Sequence, residues 1–137
     1  MEIILQQLVN GLFLGSIYAL LALGYTMVYG IIKLINFAHG EIYMIGSFIG
    51  YFLINQFNMG FFPALILSMV GSAILGVVIE FLAYRPLRNS TRIAALITAI
   101  GVSYLLQNTM IYFFSSTTRP FPQVIELKVF KLGFLTV

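Results

Sequence analysis

Four long apolar stretches alternate with short polar punctuation along this chain. No charged side chain occurs from Ile3 to Ile32. That run holds a first span with its core at 8–28 and room for an interfacial turn, and Lys33 closes it. A polar cluster comes next, Asn36, His39, Gly40 and Glu41, and then a second apolar run over 42–57. A membrane helix needs about 20 apolar residues, so this second run is short. It either crosses in full or starts inside the bilayer as a broken or re-entrant helix. Asn55, Asn58 and Gly60 mark a turn, and Pro63 opens a third span over 63–84, Pro being tolerated in a first helical turn. A basic loop precedes a fourth span at 93–114. The remainder, 115–137, lies outside the spans: it begins polar and Pro-broken, and 124–137, which mixes apolar residues with Glu126, Lys128 and Lys131, predicts an extramembrane strand or hairpin or the start of a further segment.

Composition sharpens this pattern into a class. Of the 137 residues, 61% are hydrophobic and 8% charged, against roughly 25% charged in soluble domains. Such a chain cannot cover a water-facing surface with polar groups, and lipid is its natural solvent. The fold predicted is all-α, a polytopic bundle of about four transmembrane helices. The net charge of +3 forms no broad basic face and points to topology, not to nucleic acid. Arg85, Arg88 and Arg92 make the 85–92 loop cytoplasmic by the positive-inside rule, which puts the N-terminus and 115–137 outside. Arg119, Lys128 and Lys131 count against that orientation. The N-terminal apolar stretch lacks the leading positive charge and small-residue cleavage site of a cleavable signal, and reads as a retained span. With no Cys there is neither a disulfide framework nor a thiolate site.

Helices in lipid associate by close backbone approach and polar contacts. Gly11, Gly15 and Ala19 lie at four-residue steps in the first span, Gly46 and Gly50 in the second, Ser72 and Gly76 in the third, and Ala95 and Ala99 in the fourth. Each span thus carries a small-residue face, which favours a bundle over isolated anchors. Small residues are common in membrane helices generally, and the pattern does not separate a transporter from any other bundle.

The polar residues carry the functional candidates. Asn36, His39, Gly40 and Glu41 sit at the mouth of a solute path or at a helix break; Asn36 is placed to cap a helix starting near Phe37, with Glu41 close to its positive end. The bland alternative is an interfacial histidine bonded to backbone. Glu80 can reach Tyr84, Arg85 or Arg88, as an interfacial ion pair or as a bracket for a cytoplasmic partner. Gln107 and Asn108 either bond across helices or line a path. Asn89-Ser90-Thr91 matches a glycosylation sequon, but a cytoplasmic loop would not be modified. One His and no Asp give no metal site, and no catalytic group or Walker A pattern stands out. No cofactor is expected on this chain, and uphill transport would draw its energy from a partner.

Several runs resemble a known family. Gly11-Leu12-Phe13-Leu14-Gly15-Ser16-Ile17-Tyr18-Ala19-Leu20, with Ala22-Leu23-Gly24 and Tyr29-Gly30, is similar to the start of bacterial branched-chain amino acid ABC transporter permeases of the Liv type. Ile35-Asn36-Phe37-Ala38-His39-Gly40-Glu41 is the most characteristic run. Glu80 with Tyr84-Arg85-Pro86-Leu87-Arg88, and Ile100-Gly101-Val102-Ser103 with Leu106-Gln107-Asn108, resemble later signatures. The resemblance implies an inner-membrane subunit that imports Leu, Ile, Val or related small solutes. Its implied partners are a second permease, cytoplasmic ATPase subunits that bind ATP and Mg, and an extracytoplasmic solute-binding protein. Members of that family are longer, so residues 1–137 are expected to be the N-terminal part of one permease domain, as a truncated product or a split half. The competing readings are an oligomeric channel or facilitator for solutes such as urea or amides, and a non-transporting membrane scaffold. ATP-independent flux in liposomes would mark the first, and capture of a membrane partner without flux the second.

Overall fold

The computed structural model describes residues 2–123, 131–132 and 135–136. Among the described residues four α-helices dominate: α1 Glu2–Ile32, α2 His39–Asn55, α3 Phe61–Ile79 and α4 Arg92–Phe114. A strand pair, β1 Lys131–Leu132 and β2 Leu135–Thr136, forms one short antiparallel ladder. The tail charges Glu126 and Lys128 lie outside the described residues. Helices are the expected answer here, because a chain in hydrocarbon must satisfy its backbone hydrogen bonds within each segment.

Among the described residues, three helices are long and apolar enough to cross a membrane: Ile3–Ile31, Phe61–Leu87 and Arg92–Phe114. The 31 residues of α1 rise about 46 Å, well beyond a hydrocarbon core of about 30 Å, so α1 must tilt or project. The 17 residues of α2 rise only about 25 Å, a few ångströms short of that core. Successive helices run in opposite directions. The turn at 33–38 and the loop at 85–91 therefore share one end of the bundle, and the turn at 56–60 and the segment after Phe114 share the other.

Local chemistry explains the joints. Lys33 ends α1 in a left-handed conformation (φ 58°), its N–H bonded to Tyr29 O at 2.9 Å. Asn58 (φ 49°) does the same work after α2, as asparagine enters this region at low cost. Helix α3 begins two residues before Pro63, whose missing N–H falls in the turn where none is needed. Thr91 caps α4, its Oγ1 accepting from Ala94 N at 3.4 Å, so the sequon threonine is a helix cap.

The end of α3 departs from α-helical geometry. Glu80–Tyr84 forms a π-helical turn, and Arg85 N–H bonds back to Glu80 O. Arg85–Leu87 then tightens into a 3-10 turn containing Pro86. In a continued α-helix the Pro86 ring would strike the carbonyl four residues earlier. The wide turn admits one extra residue and rotates the succeeding backbone by about 100°. Tyr84 thereby faces the bundle and is only 4% exposed.

Packing is tightest between α2 and α3. A Cβ added to Gly46 would collide with the Ser72 hydroxyl, and one on Gly50 would lie 3.0 Å from Ser68 Oγ. Gly71 likewise faces Ile49. Ala95 and Ala99 are buried on α4, where Ala99 joins Ile79 and Tyr84 in a small core flanked by Leu34, Ile42 and Leu106. Helix α1 is different. Among the described residues, Gly11 and Gly15 meet nothing within 4 Å, and the small-residue face expected to dock a neighbour is exposed.

Candidate functional site

The polar residues of the break after α1 and of the α2 start organise the site. Asn36 does not cap a helix at Phe37, as its position suggested; α2 starts at His39, and Ala38 occupies the cap position. The asparagine side chain holds the turn itself. Its Oδ1 accepts from Ala38 N at 3.0 Å and from the Tyr84 hydroxyl at 2.8 Å. One carbonyl oxygen therefore ties the entrance of α2 to the π-helical turn of α3. Ala38 beneath it is fully buried.

Glu41 lies in the first turn of α2, where the helix dipole favours a negative charge. Its Oε1 accepts from Gln107 Nε2 at 2.6 Å and from Ser103 Oγ at 3.0 Å. Both donors come from α4, four residues apart and so on one face. This carboxylate joins α2 to α4, and Oε2 has no protein donor among the described residues. Asn108, which neighbours Gln107 in sequence, instead donates to Tyr104 O within its own helix at 2.7 Å and is exposed.

His39 points away from Glu41, toward α1. Its ring meets Tyr25 edge-on with centroids 6.0 Å apart. A Cβ on Gly24 would come within 3.0 Å of His39 Nε2, so a glycine is what lets the imidazole approach α1. Gly40 is open and exposed. At the basic loop, Arg88 donates to Glu80 Oε1 at 2.9 Å, and the pair is exposed. The Arg85 guanidinium stacks 5.0 Å over Phe81, while Arg92 is exposed at the start of α4. Of the three partners open to Glu80, Arg88 is the one it takes.

Among the described residues, clefts flank α2 in series, three of which matter to the site. The first, 390 Å³, lies between α2, α4 and the segment after Phe114, with Gln107, Phe48 and Arg119 in its wall. The second, 660 Å³, runs between α1, α2 and α3 past Ser68 and Ser72. The third, 380 Å³, ends at Asn36, Glu80 and Tyr84. Neighbouring clefts share walls: Ser47 and Phe121 line the first and second, and His39 and Ile42 the second and third. The row extends from the Arg119 end of the bundle to the basic-loop end.

A family model described as the branched-chain amino acid transport system / permease component matches residues 7–132. The chain belongs to this family. Among curated relatives, it is 47% identical over 129 residues to the high-affinity branched-chain amino acid transport system permease protein BraD of Pseudomonas aeruginosa, an alignment covering 88% of this chain and 42% of the relative. It is 52% identical over 116 residues to the LivH permease protein of the same description from Salmonella typhimurium, and 51% identical to that of Escherichia coli K12. Each of these two alignments covers 76% of this chain and 36% of the relative. The chain thus spans well under half the length of the curated relatives it matches. No solved structure matches it. Family membership and the three candidate spans make it a multi-pass membrane protein.

Two participants are not evident as site residues from the sequence. Ser103 stands there only within a signature run; its place one turn before Gln107, with the same donor chemistry, is the available signal. Tyr84 reads as a partner for Glu80, because the α-helical spacing hides the rotation that the π-helical turn introduces.

Proposed function

We propose that this chain is part of the membrane permease of an ATP-driven importer for branched-chain amino acids in a bacterial inner membrane. The observation that carries the reading is the row of clefts along α2, bounded at its shared wall by His39, in a chain of this family. Amino-acid solutes need a route with mostly apolar walls and a few placed polar groups, and a largely apolar cleft carrying Ser47, Ser68, Ser72, Tyr43 and His39 meets that description. Asn36, His39, Gly40 and Glu41 form the helix break beside this route. The chain binds neither ATP nor Mg in this reading. Hydrolysis belongs to cytoplasmic ATPase subunits, solute delivery to an extracytoplasmic binding protein, and completion of the path to a second permease. The basic loop at 85–92 lies in the cytoplasm and the N-terminus outside.

The test is uptake of labelled leucine by cells carrying the assembled transporter. His39→Ala should lower the uptake rate while leaving membrane insertion intact. Uptake at the wild-type rate would remove His39 from the path. Because the chain has no Cys, single cysteines placed at 85–92 can be labelled cleanly. Labelling by an impermeant reagent from outside intact cells would reverse the orientation.

A further inference from the structure

Of the three clefts, the one at the end opposite the basic loop has an arginine on its rim. Its wall toward α2 and α4 is mostly apolar, with Met44, Phe48, Met110 and Ile111, and carries Ser47, Tyr51 and Gln107 as its polar members. Its rim is the segment after Phe114, which supplies Arg119 and the hydroxyls of Ser116, Thr117 and Thr118. Ser115 turns the chain at the helix end with φ 64° and ψ 165°, a conformation costly for any residue with a side chain. The turn returns the segment over the cleft, where the Phe121 ring lies against Tyr51.

Among the described residues, Arg119 and, in the far cleft, Glu80 are the charged side chains lining the three clefts. Its Nη2 donates to Phe114 O at 3.0 Å. A free carbonyl at the C-terminus of α4 would repel an anion, and the guanidinium sits on that carbonyl. A guanidinium has five N–H donors, so most of its donor capacity stays open. At 390 Å³ the cleft lies in the range of small-ligand sites, about 300–1,000 Å³.

We infer that this cleft binds an α-amino acid with an apolar side chain, its carboxylate on Arg119 and the neighbouring hydroxyls, and its side chain against Phe48, Met44 and Met110. The inference rests on the permease reading and names where that permease would hold its solute. Gln107 lies seven residues before Phe114, about 10 Å along α4. One small amino acid cannot reach both Arg119 and Gln107 with its charged groups. The carboxylate is therefore the recognised group here, and the ammonium faces the open mouth.

The test is binding of radiolabelled leucine to the chain in phosphatidylcholine nanodiscs, with leucinamide, which lacks the carboxylate, as competitor. Saturable binding that leucinamide does not displace is expected. R119Q should weaken binding by about tenfold or more, as loss of a charge-assisted hydrogen bond implies, with R119K intermediate and helicity by circular dichroism unchanged. Equal binding by R119Q, equal competition by leucinamide, or no binding by the wild-type chain would each overturn the inference. Should R119Q lose helicity, the leucinamide comparison on the wild-type chain decides alone. Loss of leucine binding on adding phosphatidylglycerol would instead assign the cleft to an anionic lipid headgroup. Leucine uptake by the assembled transporter separates the two levels. If neither wild type nor R119Q supports uptake, the permease reading fails; if both support it equally, only the cleft assignment fails.

Discussion

Removing the Glu41 carboxylate should loosen α2 from α4 by a measurable and partitionable amount. In Glu41→Leu the side chain stays comparable in size but becomes apolar, and Gln107 and Ser103 lose their common acceptor. Interhelical hydrogen bonds in membrane proteins average about 0.6 kcal/mol and reach about 1.7 kcal/mol. The 2.6 Å bond from Gln107 ends on a charged oxygen and belongs at the upper end of that range. The bond from Ser103 at 3.0 Å belongs nearer the mean. Together they give a loss of about 2 kcal/mol for Glu41→Leu. Glu41→Gln keeps a carbonyl acceptor and should cost less than about half as much. The assay is reversible unfolding of the chain in mixed micelles, followed by helicity, as a double-mutant cycle of Glu41→Leu with Gln107→Leu. A coupling energy of about 1 kcal/mol or more is expected. Additive single losses would refute the idea that this carboxylate joins the two helices, and an equal loss in Glu41→Gln would refute the role of its acceptor oxygen.

The same geometry sets the outcome of other perturbations. Asn36→Ala should destabilise the chain by more than Tyr84→Phe, about 2 against about 1 kcal/mol, because the first orphans two donors and the second only removes one; the same unfolding assay ranks them. Gly46→Leu should drive the α2–α3 crossing apart where Ser72 leaves no room, costing about 1–3 kcal/mol, read as a lower midpoint. Glu80→Gln should change stability by under about 1 kcal/mol, since its ion pair with Arg88 is exposed, and a larger loss would show that the pair is buried by a neighbour. Ser115→Gly should stabilise the chain by about 1 kcal/mol by relieving the left-handed backbone.

Much of the bundle was legible because lipid makes hydropathy decisive. The charge-free run to Ile32 lies within α1, and the polar stop at Asn36 to Glu41 marks the start of α2. Steric pairs such as Gly46 with Ser72 were half visible: the small residue could be read, but its partner could not. Long-range bonds were not legible at all. Nothing local to Asn36 announces a tyrosine 48 positions away, and Glu41 reaches 66 positions to Gln107. The rotation at Glu80–Tyr84 was hidden for a different reason. Pro86 signalled a break but not its form, which depends on how the preceding turn widens. The small-residue face of α1 is plain in the sequence, but among the described residues Gly11 and Gly15 meet nothing, so the sequence pattern alone did not name a partner for it.

Asn36 and Glu41 grip different neighbours from opposite flanks of one short stretch. A push on the basic loop reaches the π-helical turn, passes through one tyrosine hydroxyl to the head of α2, and leaves through a single carboxylate into α4. Those three elements must shift as a block, or break the one bond at Asn36 or the two at Glu41. Helix α1 meets this block where one imidazole lies against a glycine and a tyrosine ring, and is therefore the part that can slide while the rest stays locked.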